Sequence, residues 1–322
     1  MLRYILKRLI QMLPLPLIIS AITFGVSKLA PGDHLTARLQ DPSMTQERIE
    51  QERKRLGLDQ PFIVQYGTWA AHFAVGDMGE SYRYRAPVNS LIWQRLGSTL
   101  VLGLAALLVT WLIAIPLGIF AAVKRYSLAD KAFSVLTFTA LGIPEFVLAL
   151  LLLFAAAKTG ILPVGGMTSP NFNSMGPLQQ VWDIALHLVI PVIAVSIGTI
   201  AIMQRRMRGN MLDVLADDYI RMARAKGLPE NKVIYKHALR NAINPMVTIL
   251  GYDIASLLSG FALVEIIVGW PGMGNMMLEA LQSFDMPLAM AGMMIGAMML
   301  LVGNLLADIL LAAVDPRIKL EA

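Results

Sequence analysis

Six long apolar stretches constrain this chain more than any other feature of its sequence. Crossing the hydrocarbon core of a membrane takes about 20 mostly apolar residues, in a helix that rises about 1.5 Å per residue. Only 15% of the 322 residues are charged, whereas soluble domains average about 25%. The sequence therefore predicts an all-α, polytopic membrane bundle of six transmembrane helices. The predicted spans are 9–29, 99–123, 133–157, 184–203, 246–268 and 288–314.

The positions of the cations predict how this bundle is oriented. Lys and Arg outnumber Asp and Glu by 27 to 22, which gives a formal charge of +5. With six spans both termini share one side, and the loop 204–245 on that side carries nine cations. The two short loops on the opposite side contain only Lys158. Because loops rich in Lys and Arg stay in the cytoplasm, we expect a multi-pass protein of the bacterial plasma membrane with both termini cytoplasmic.

The spans divide the chain into four segments. The first holds the N-terminus and a first transmembrane helix, which we expect to stay uncleaved because its apolar run exceeds the roughly 7–15 residues of a signal peptide. An extracytoplasmic helical segment, a five-helix transmembrane core with one long cytoplasmic loop, and a cytoplasmic tail follow. The segments are 1–29, 30–97, 98–316 with its loop at 204–245, and 317–322.

The extracytoplasmic segment contains signals for two helices. Ser43 followed by Gln46 has the spacing of a capping box, and Asp59 can cap a second helix with Pro61 near its first turn. Two interpretations are open: a small helical cap that shields the bundle, and a docking surface for an extracytoplasmic partner. The second predicted helix carries aromatic residues at helical spacing, namely Phe62, Tyr66, Trp69 and Phe73.

The loop 204–245 is too long for a simple helix connection, which usually has about 2–8 residues. Asp217 or Asp218 suits a helix start, the stretch 227–229 (Gly-Leu-Pro) breaks that helix, and residues 230–241 resume it. The small residues at 223, 225 and 227 would let the surface of another protein approach closely. The alternative is a basic loop attracted to anionic lipid, but lipid attraction requires neither small residues nor a bend.

Five further motifs accompany this loop: Arg-Tyr-Ile-Leu-Lys-Arg-Leu at 3–9, Ala-Pro-Gly-Asp at 30–33, Leu-Gly-Leu-Asp-Gln-Pro at 56–61, Trp-Pro-Gly-Met-Gly at 270–274 and Asp-Pro-Arg at 315–317. With them, nearly the whole chain resembles the dipeptide and oligopeptide permease family, whose members are membrane subunits of ABC importers. The segment 217–245 is similar to the cytoplasmic EAA coupling loop of such subunits. Where the general loop has Glu, Ala and Ala, this chain has Arg221, Met222 and Ala223 before Gly227, a departure that is usual in peptide permeases.

The resemblance implies a type I ABC importer transmembrane domain and a defined set of partners. These are a second homologous permease subunit, two cytoplasmic ABC ATPase subunits and an extracytoplasmic substrate-binding protein. The loop would insert into a groove on one ATPase subunit, which would bind ATP and Mg, so that this chain needs no cofactor. The residues that the resemblance assigns to this coupling are Arg221, Ala223, Ala225, Gly227 and Leu228.

The sequence contains none of the motifs that would indicate catalysis by the chain itself. It has no Gly-x-x-x-x-Gly-Lys-Ser/Thr phosphate loop, no His-Glu-x-x-His helix and no Gly-x-Ser-x-Gly elbow. Cysteine is absent, and the four His residues lack metal-ligand spacing. The 20 Met residues suit packing in apolar spans. We therefore expect a non-catalytic subunit without a metal site.

Two carboxylates inside the predicted spans are candidates for the substrate path. An Asp within a span costs about 2.5–3.5 kcal/mol on insertion scales, so intramembrane carboxylates usually have a function. Glu145 lies in the third predicted span and Asp253 in the fifth. Either can line a hydrated path and meet the amino group of a peptide, or pair with a neighbouring helix or subunit. Glu265 and Asp308 lie nearer the ends of their spans, where a structural role is expected.

The motif at 270–274 predicts a sharp turn with an aromatic anchor at the outer membrane interface. A short apolar helix is expected to follow it and dip back towards the bundle. In related importers such an element helps to close the outer mouth, and an interfacial anchor alone is the other interpretation. The residues of this candidate outer gate are Trp270, Pro271, Gly272 and Gly274.

Taken together, the sequence predicts the permease subunit of an ATP-driven importer for dipeptides or oligopeptides. An importer of the same family for nickel, glutathione or an oligosaccharide is the main alternative. An ion-driven secondary carrier and a structural membrane anchor come from other classes. Secondary carriers usually show repeats in matching halves, and this sequence has no internal repeat. A structural anchor would not need the intramembrane carboxylates.

Overall fold

The computed structural model describes residues 8–29, 59–257 and 261–314, together with the single positions 47, 51, 54 and 57. In these ranges the regular structure is helical, and β pairing is limited to one isolated bridge between Glu80 and Pro87. The predicted all-α class is therefore confirmed. The helices are α1 (Pro14–Leu29), α2 (Phe62–Ala74), α3 (Val88–Val123), α4 (Leu128–Gly142), α5 (Glu145–Thr159), α6 (Pro177–Leu215), α7 (Asp218–Ala225), α8 (Glu230–Lys232, the π-helical turn Val233–Ala238 and Leu239–Ala242), α9 (Asn244–Leu257), α10 (Ala262–Val268), α11 (Met273–Gln282) and α12 (Met286–Val314).

Four helical stretches in the described ranges are long and apolar enough to cross a membrane. They are Arg8–Lys28, which includes most of α1, the whole of α3 and of α6, and Met286–Ile309 within α12. Helices α4 and α5 pass the same test together, although they are bent by 99° relative to each other. A multi-pass helical bundle with four or five candidate spans is thus established, and the count of six stays a prediction.

The third predicted span, 133–157, is wrong as a single straight helix. Helix α4 ends at Gly142, Ile143 has extended backbone angles (φ −97°, ψ 116°), and α5 begins after Pro144. The proline ring disfavours helical angles at the preceding residue, which explains why the break falls at Ile143. The fifth predicted span, 246–268, corresponds to α9 and α10, and residues 258–260 between them lie outside the described residues.

The two longest helices, α3 and α6, pack along each other and define the two ends of the bundle. At one end Ile119 of α3 and Met207 of α6 belong to a buried cluster that includes residues of α7 and α8. At the other end Ile92 of α3 belongs to a cluster with residues of α11 and α12. We call these the loop end and the Trp270 end. Helix α3 has 36 residues and is about 54 Å long at 1.5 Å per residue.

A glycine permits the close contact between α3 and α6 near the loop end. A Cβ atom at Gly118 would lie 2.6 Å from Met207 Cβ and 2.8 Å from the carbonyl oxygen of Gln204. Small residues allow helix backbones to approach in this way inside membranes. The two helices would have to separate to accept any larger side chain.

We expect Gly118→Ala to destabilise the bundle, because added volume in a packed interior costs about 1–3 kcal/mol. The measurement is the temperature at which half of the detergent-solubilised protein loses its monodisperse form. Gly97→Ala in the same helix is the matched control, because its added Cβ would have no neighbour within 4 Å. Equal stability of the two variants would contradict the importance of this contact.

The predicted aromatic helix within the segment 30–97 is confirmed as α2, and it packs on α1. The Phe24 ring lies 5.3 Å from the Phe62 ring and 5.6 Å from the Trp69 ring, and Ser20 Oγ lies 2.8 Å from Tyr66 Oη. Pro61 occupies the N-cap position and no side chain caps the helix, so the expected role of Asp59 as the cap is wrong. The predicted capping box of Ser43 and Gln46 lies outside the described residues.

The first residues of the bundle lie beside the second half of α12. Arg8 Nε is 3.3 Å from Asp308 Oδ2, which agrees with a structural role for this carboxylate. Nearby, α9 and α12 cross closely, because a Cβ at Gly251 would meet Ala307 Cα at 2.8 Å. The division of the chain into four segments stays a prediction.

Candidate functional site

The long loop folds into a knob formed by α7 and α8 at the loop end. Ile220 of α7 and Val233 of α8 are completely buried in the cluster that contains Met207 and Met211 of α6. Asn210 of α6 also donates its side-chain amide to the Ala242 carbonyl oxygen, at 3.2 Å. The knob is therefore packed on the ends of α3 and α6, and its position does not depend on the chain connections alone.

A left-handed glycine forms the bend between α7 and α8. Gly227 has φ +73°, its N–H donates to the Arg224 carbonyl at 2.9 Å, and the Leu228 N–H donates to the Ala223 carbonyl at 3.4 Å. Glycine adopts this conformation without the steric penalty that other residues meet. A Cβ at Gly227 would have no neighbour within 4 Å, so the backbone angle requires glycine here and crowding within the chain does not.

Two side-chain contacts hold the arms of the bend together. Arg224 donates to both carboxylate oxygens of Glu230, at 3.2 and 2.7 Å, and Asn241 donates to Tyr219 Oη at 2.7 Å. The hydrogen bonds from Arg224 lower the pKa of the Glu230 carboxyl, and they raise the pKa of Arg224. Both members of the pair are therefore charged at neutral pH.

The structure separates the predicted coupling residues into an inner and an outer set. Ala223 is only 7% exposed and faces the bundle, so its interpretation as part of a surface that another protein approaches is wrong. Leu228 is half-buried against the same cluster. Arg221, Ala225 and Gly227 are exposed.

Two exposed side chains of the knob were not identified from the sequence as candidate contact residues. Met222 and Tyr235 are each 61% exposed, although both are large and largely apolar. Each lies two residues from a buried residue of the same knob, Ile220 and Val233 respectively. The 3.6-residue period places such positions away from the buried face, so a helical projection of each arm would have found them.

At the Trp270 end, the predicted gate motif folds around a buried carboxylate. Glu265 is completely buried at the start of α10, and Trp270 is completely buried in the turn that follows this helix. Thr99 of α3 donates its hydroxyl to Glu265 Oε1 at 2.7 Å, and the Gly274 N–H donates to Oε2 at 2.7 Å. The Met273 N–H donates to Thr99 Oγ1 at 2.8 Å.

The turn is also fixed to α3 through its tryptophan. The Trp270 indole N–H donates to the Ser98 carbonyl oxygen at 2.9 Å, and the Trp270 backbone N–H donates to the Glu265 carbonyl oxygen at 2.8 Å. The predicted short helix after the turn is confirmed as α11, in which Met276 and Ala280 are completely buried. The predicted gate residues therefore form one compact unit with Ser98 and Thr99 of α3.

Both glycines of the motif lie so close to neighbouring atoms that a side chain would not fit. A Cβ at Gly272 would lie 2.2 Å from the Glu265 carboxyl group, and one at Gly274 would lie 2.4 Å from Ala262 Cα. Neither glycine has a left-handed backbone. The motif thus has glycine where the turn wraps tightly over the carboxylate.

The two candidate path carboxylates have different surroundings. Asp253 of α9 is half-buried and accepts a hydrogen bond from the Trp111 indole of α3 at 3.2 Å. Glu145 is exposed in the first turn of α5, directly after the bend at Pro144. The Trp111 contact fits the pairing with a neighbouring helix that the sequence left open for Asp253. A role in a substrate path stays a prediction for both residues.

Comparison with known proteins gives matches that extend over most of the chain. A family model described as "Binding-protein-dependent transport system inner membrane component" matches residues 114–320, and a model for the N-terminal part of such components matches residues 1–103. The chain is 40% identical to the oligopeptide transport system permease protein AppB of Bacillus subtilis (strain 168), over 98% of this chain and 99% of that protein. It is 39% identical to a putative peptide permease protein of Brucella ovis and 35% identical to the dipeptide transport system permease protein DppB of Escherichia coli (strain K12), in both cases over 99% of each chain.

Proposed function

Because the chain belongs to the family of binding-protein-dependent transport system inner membrane components, we propose that it is the permease subunit of an ATP-driven importer of dipeptides and oligopeptides. The related proteins named above are called peptide, dipeptide or oligopeptide permeases. Their names favour peptide over nickel, glutathione or an oligosaccharide. Membership of this family also favours an importer that works with an ATPase over a carrier driven by an ion gradient.

In this proposal the chain has six spans, and both termini and the knob face the cytoplasm. A second permease subunit completes the translocation path, and two ATPase subunits bind ATP and Mg beneath it. An extracytoplasmic binding protein delivers the peptide. The proximity of Arg8 and Asp308 supports a shared side for the two ends of the described bundle, and the cations of the loop 204–245 support its cytoplasmic location.

The observation that carries the mechanism is that one continuous helix contacts both candidate sites. Helix α3 packs against the knob through Ile119 and Ala122, and it holds the Trp270 turn through Ser98 and Thr99. About 30 Å separates Thr99 from Ile119 at 1.5 Å per residue. A rigid helix with contacts at both ends can transmit a displacement between them, whereas a flexible linker cannot.

The proposed cycle is alternating access driven by the partner ATPases. ATP binding closes the ATPase pair, and the closing pair moves the docked knob of each permease. The knob then moves α3 and α6, and these helices open the path at the Trp270 end. ATP can shift this equilibrium only by the difference between its affinities for the two states, so the knob must transmit force without bending. Its buried contacts on α3 and α6 provide that stiffness.

Glu145 and Asp253 are proposed to line the path between the two permeases. Glu145 is exposed on α5, whose neighbouring exposed residues Phe146 and Leu150 are apolar. A carboxylate cannot face lipid cheaply, so this face suits contact with water in the path or with the second permease. Either carboxylate can pair with the amino group of an incoming peptide.

The salt bridge across the bend should contribute modestly to coupling. We expect Glu230→Gln to reduce peptide uptake by no more than about fivefold, because an exposed ion pair contributes about 0.2–1 kcal/mol. Uptake by membrane vesicles is the measurement, and the charge-swapped pair Arg224→Glu with Glu230→Arg is the control that should restore it. A loss larger than that of any glycine variant in the bend would show that the pair has a different role.

The same pair should not make uptake sensitive to pH in the neutral range. The pKa of Glu230 is lowered in the folded protein, so its contribution is present above the unfolded value of about 4.3 and is lost as the pH falls through the folded value. The ratio of uptake by the Glu230→Gln variant to uptake by the unmodified protein should therefore be constant between about pH 5 and pH 8.

The proposed function is tested by separating ATP from ion gradients in cells. Uptake of a labelled dipeptide is measured after ATP depletion with the ion gradient clamped, and again with the gradient collapsed at normal ATP. The proposal predicts loss of uptake only in the first case. It also predicts that an ATPase copurifies with the chain. Uptake that follows the gradient and ignores ATP would identify a secondary carrier instead.

A further inference from the structure

We propose that Glu265 is the positioning residue of the outer gate: its carboxylate caps α11 from outside that helix and ties it to α3. This inference rests on the proposed function, since it assigns a role within the gate of the importer. The sequence alone suggested only a structural role for Glu265, because it lies near the end of a predicted span.

Helix α11 lacks a side-chain cap of its own. Gly272 occupies the N-cap position and has no side chain, so the first N–H groups of α11 depend on other acceptors. Glu265 Oε2 accepts from Gly274, and Thr99 Oγ1 accepts from Met273. A negative charge at this end also interacts favourably with the helix dipole.

The Glu265 carboxylate holds two helices at once. Oε1 of Glu265 accepts from the Thr99 hydroxyl of α3, while Oε2 accepts from the backbone of α11. An ionised carboxylate only accepts hydrogen bonds, and all these partners are donors. Replacement by an amide would put an N–H group either opposite the Gly274 N–H, which can only donate, or opposite the Thr99 hydroxyl, which would have to turn its proton away. The site therefore favours a carboxylate.

The surrounding chain packs closely around this carboxylate. Glu265 is completely buried, and the two motif glycines leave no space for a Cβ beside its carboxyl group or beside Ala262. Helix α10, the Trp270 turn and α11 are consequently packed into one unit around Glu265. This unit is hydrogen-bonded to α3 through Ser98 and Thr99, so these two residues are where the gate would separate from α3.

The test measures how well α11 is held, with cysteine labelling in the complete transporter. The chain has no cysteine, so an introduced cysteine is the only one in this subunit, and its labelling is read after the subunit is separated from its partners. Ala280→Cys reports on the packed face of α11, because Ala280 is completely buried, and Gln282→Cys reports on exposed surface. Each is combined with Glu265→Gln, Glu265→Ala or Thr99→Val and treated with a membrane-impermeant maleimide from the outside.

We expect Glu265→Gln and Thr99→Val each to raise the labelling rate of Ala280→Cys about tenfold. Each variant removes a hydrogen-bond partner from a buried group, which costs about 1.4 kcal/mol, and this free energy corresponds to a factor of about ten. Glu265→Ala should raise it further. Asp183→Asn is the matched control, because Asp183 is also a buried carboxylate that accepts from a hydroxyl and a backbone N–H, both of Ser169, but it lies on α6. This control should leave the labelling rate within about twofold.

An unchanged labelling rate in Glu265→Gln and Thr99→Val, with normal amounts of protein in the membrane, would overturn the proposal. If the Glu265 variants fail to fold, Thr99→Val decides alone, because it removes one hydroxyl with little change in shape. Failure of the proposed function would look different. In that case Gln282→Cys would react only from the cytoplasmic side, or uptake would not need the ATPase. The effect of the Glu265 variants on the labelling rate of Ala280→Cys would then still be measured, with a membrane-permeant maleimide.

Discussion

Replacing Gly227 with valine should eliminate peptide uptake while leaving the chain inserted in the membrane. The left-handed backbone at this position costs a β-branched residue about 1–2 kcal/mol, which opens or distorts the bend between α7 and α8. The added side chain also stands on the exposed tip of the knob, where the ATPase is proposed to dock. We expect uptake to fall more than about tenfold, the factor for 1.4 kcal/mol, because the strain and the lost contact act together.

The control for this experiment is Gly160→Val. Gly160 ends α5 with φ +65°, close to the +73° of Gly227, and a Cβ at either position has no neighbour within 4 Å. The two substitutions thus introduce similar backbone strain, but only Gly227 lies on the knob. Uptake and the amount of ATPase that copurifies are measured for both variants. Equal effects of the two would show that strain alone matters, and normal uptake by Gly227→Val would contradict the coupling role of the bend.

The second large effect is expected at the other end of the molecule, from Gly274→Ala. The new Cβ would lie 2.4 Å from Ala262 Cα, which is a backbone atom and cannot rotate away. The turn must therefore shift, and its hydrogen bond to Glu265 is lost with it. Overpacking of this kind costs about 1–3 kcal/mol. We expect uptake to fall at least about tenfold because α11 no longer closes the mouth of the path.

Gly296→Ala provides the comparison for Gly274→Ala. It makes the same chemical change within α12, where the added Cβ has no neighbour within 4 Å. Alanine is favoured over glycine inside a helix by up to about 1 kcal/mol, so this variant should transport normally and be at least as stable. If both variants transported normally, the close packing of the Trp270 turn would have no importance for the gate.

The sequence was sufficient to predict those elements that depend on local signals. The aromatic spacing from Phe62 to Phe73 predicts α2, and the Gly-Leu-Pro stretch at 227–229 predicts the bend between α7 and α8. Helix α11 follows its turn as the motif at 270–274 predicts. In each case the turn residues and the apolar period lie within one short stretch of sequence, and such patterns are informative over windows of about 11–18 residues.

The errors arise where the surroundings decide the outcome. The predicted span 133–157 contains Pro144, and neighbouring helices can compensate for a proline inside a span, but here the chain turns by 99° at this point. Ala223 was expected on an outer surface because it is small, yet the position of Ile220 three residues earlier places both on the inner face of α7. Burial of a small residue depends on what packs against it, which the residue type does not reveal.

The contacts of Glu265 could not be predicted from local patterns at all. Its partner Thr99 is 166 residues away along the chain, and Thr99 itself is an ordinary residue at the start of a predicted span. The motif glycines at 272 and 274 gave a signal for a turn, but nothing in it indicated that the turn encloses a carboxylate. Only the packing of α3, α10 and α11 brings these groups together.

The central claim is that this chain receives force through its knob from a separate ATPase and does not pump by itself. The most direct measurement uses proteoliposomes that contain the two permeases, with the binding protein and labelled peptide outside and ATP inside. Peptide accumulation is compared with and without the ATPase subunits. The account predicts accumulation only when the ATPase subunits are present, and its loss when Gly227→Val is introduced. Accumulation by the permeases without any ATPase would contradict the account.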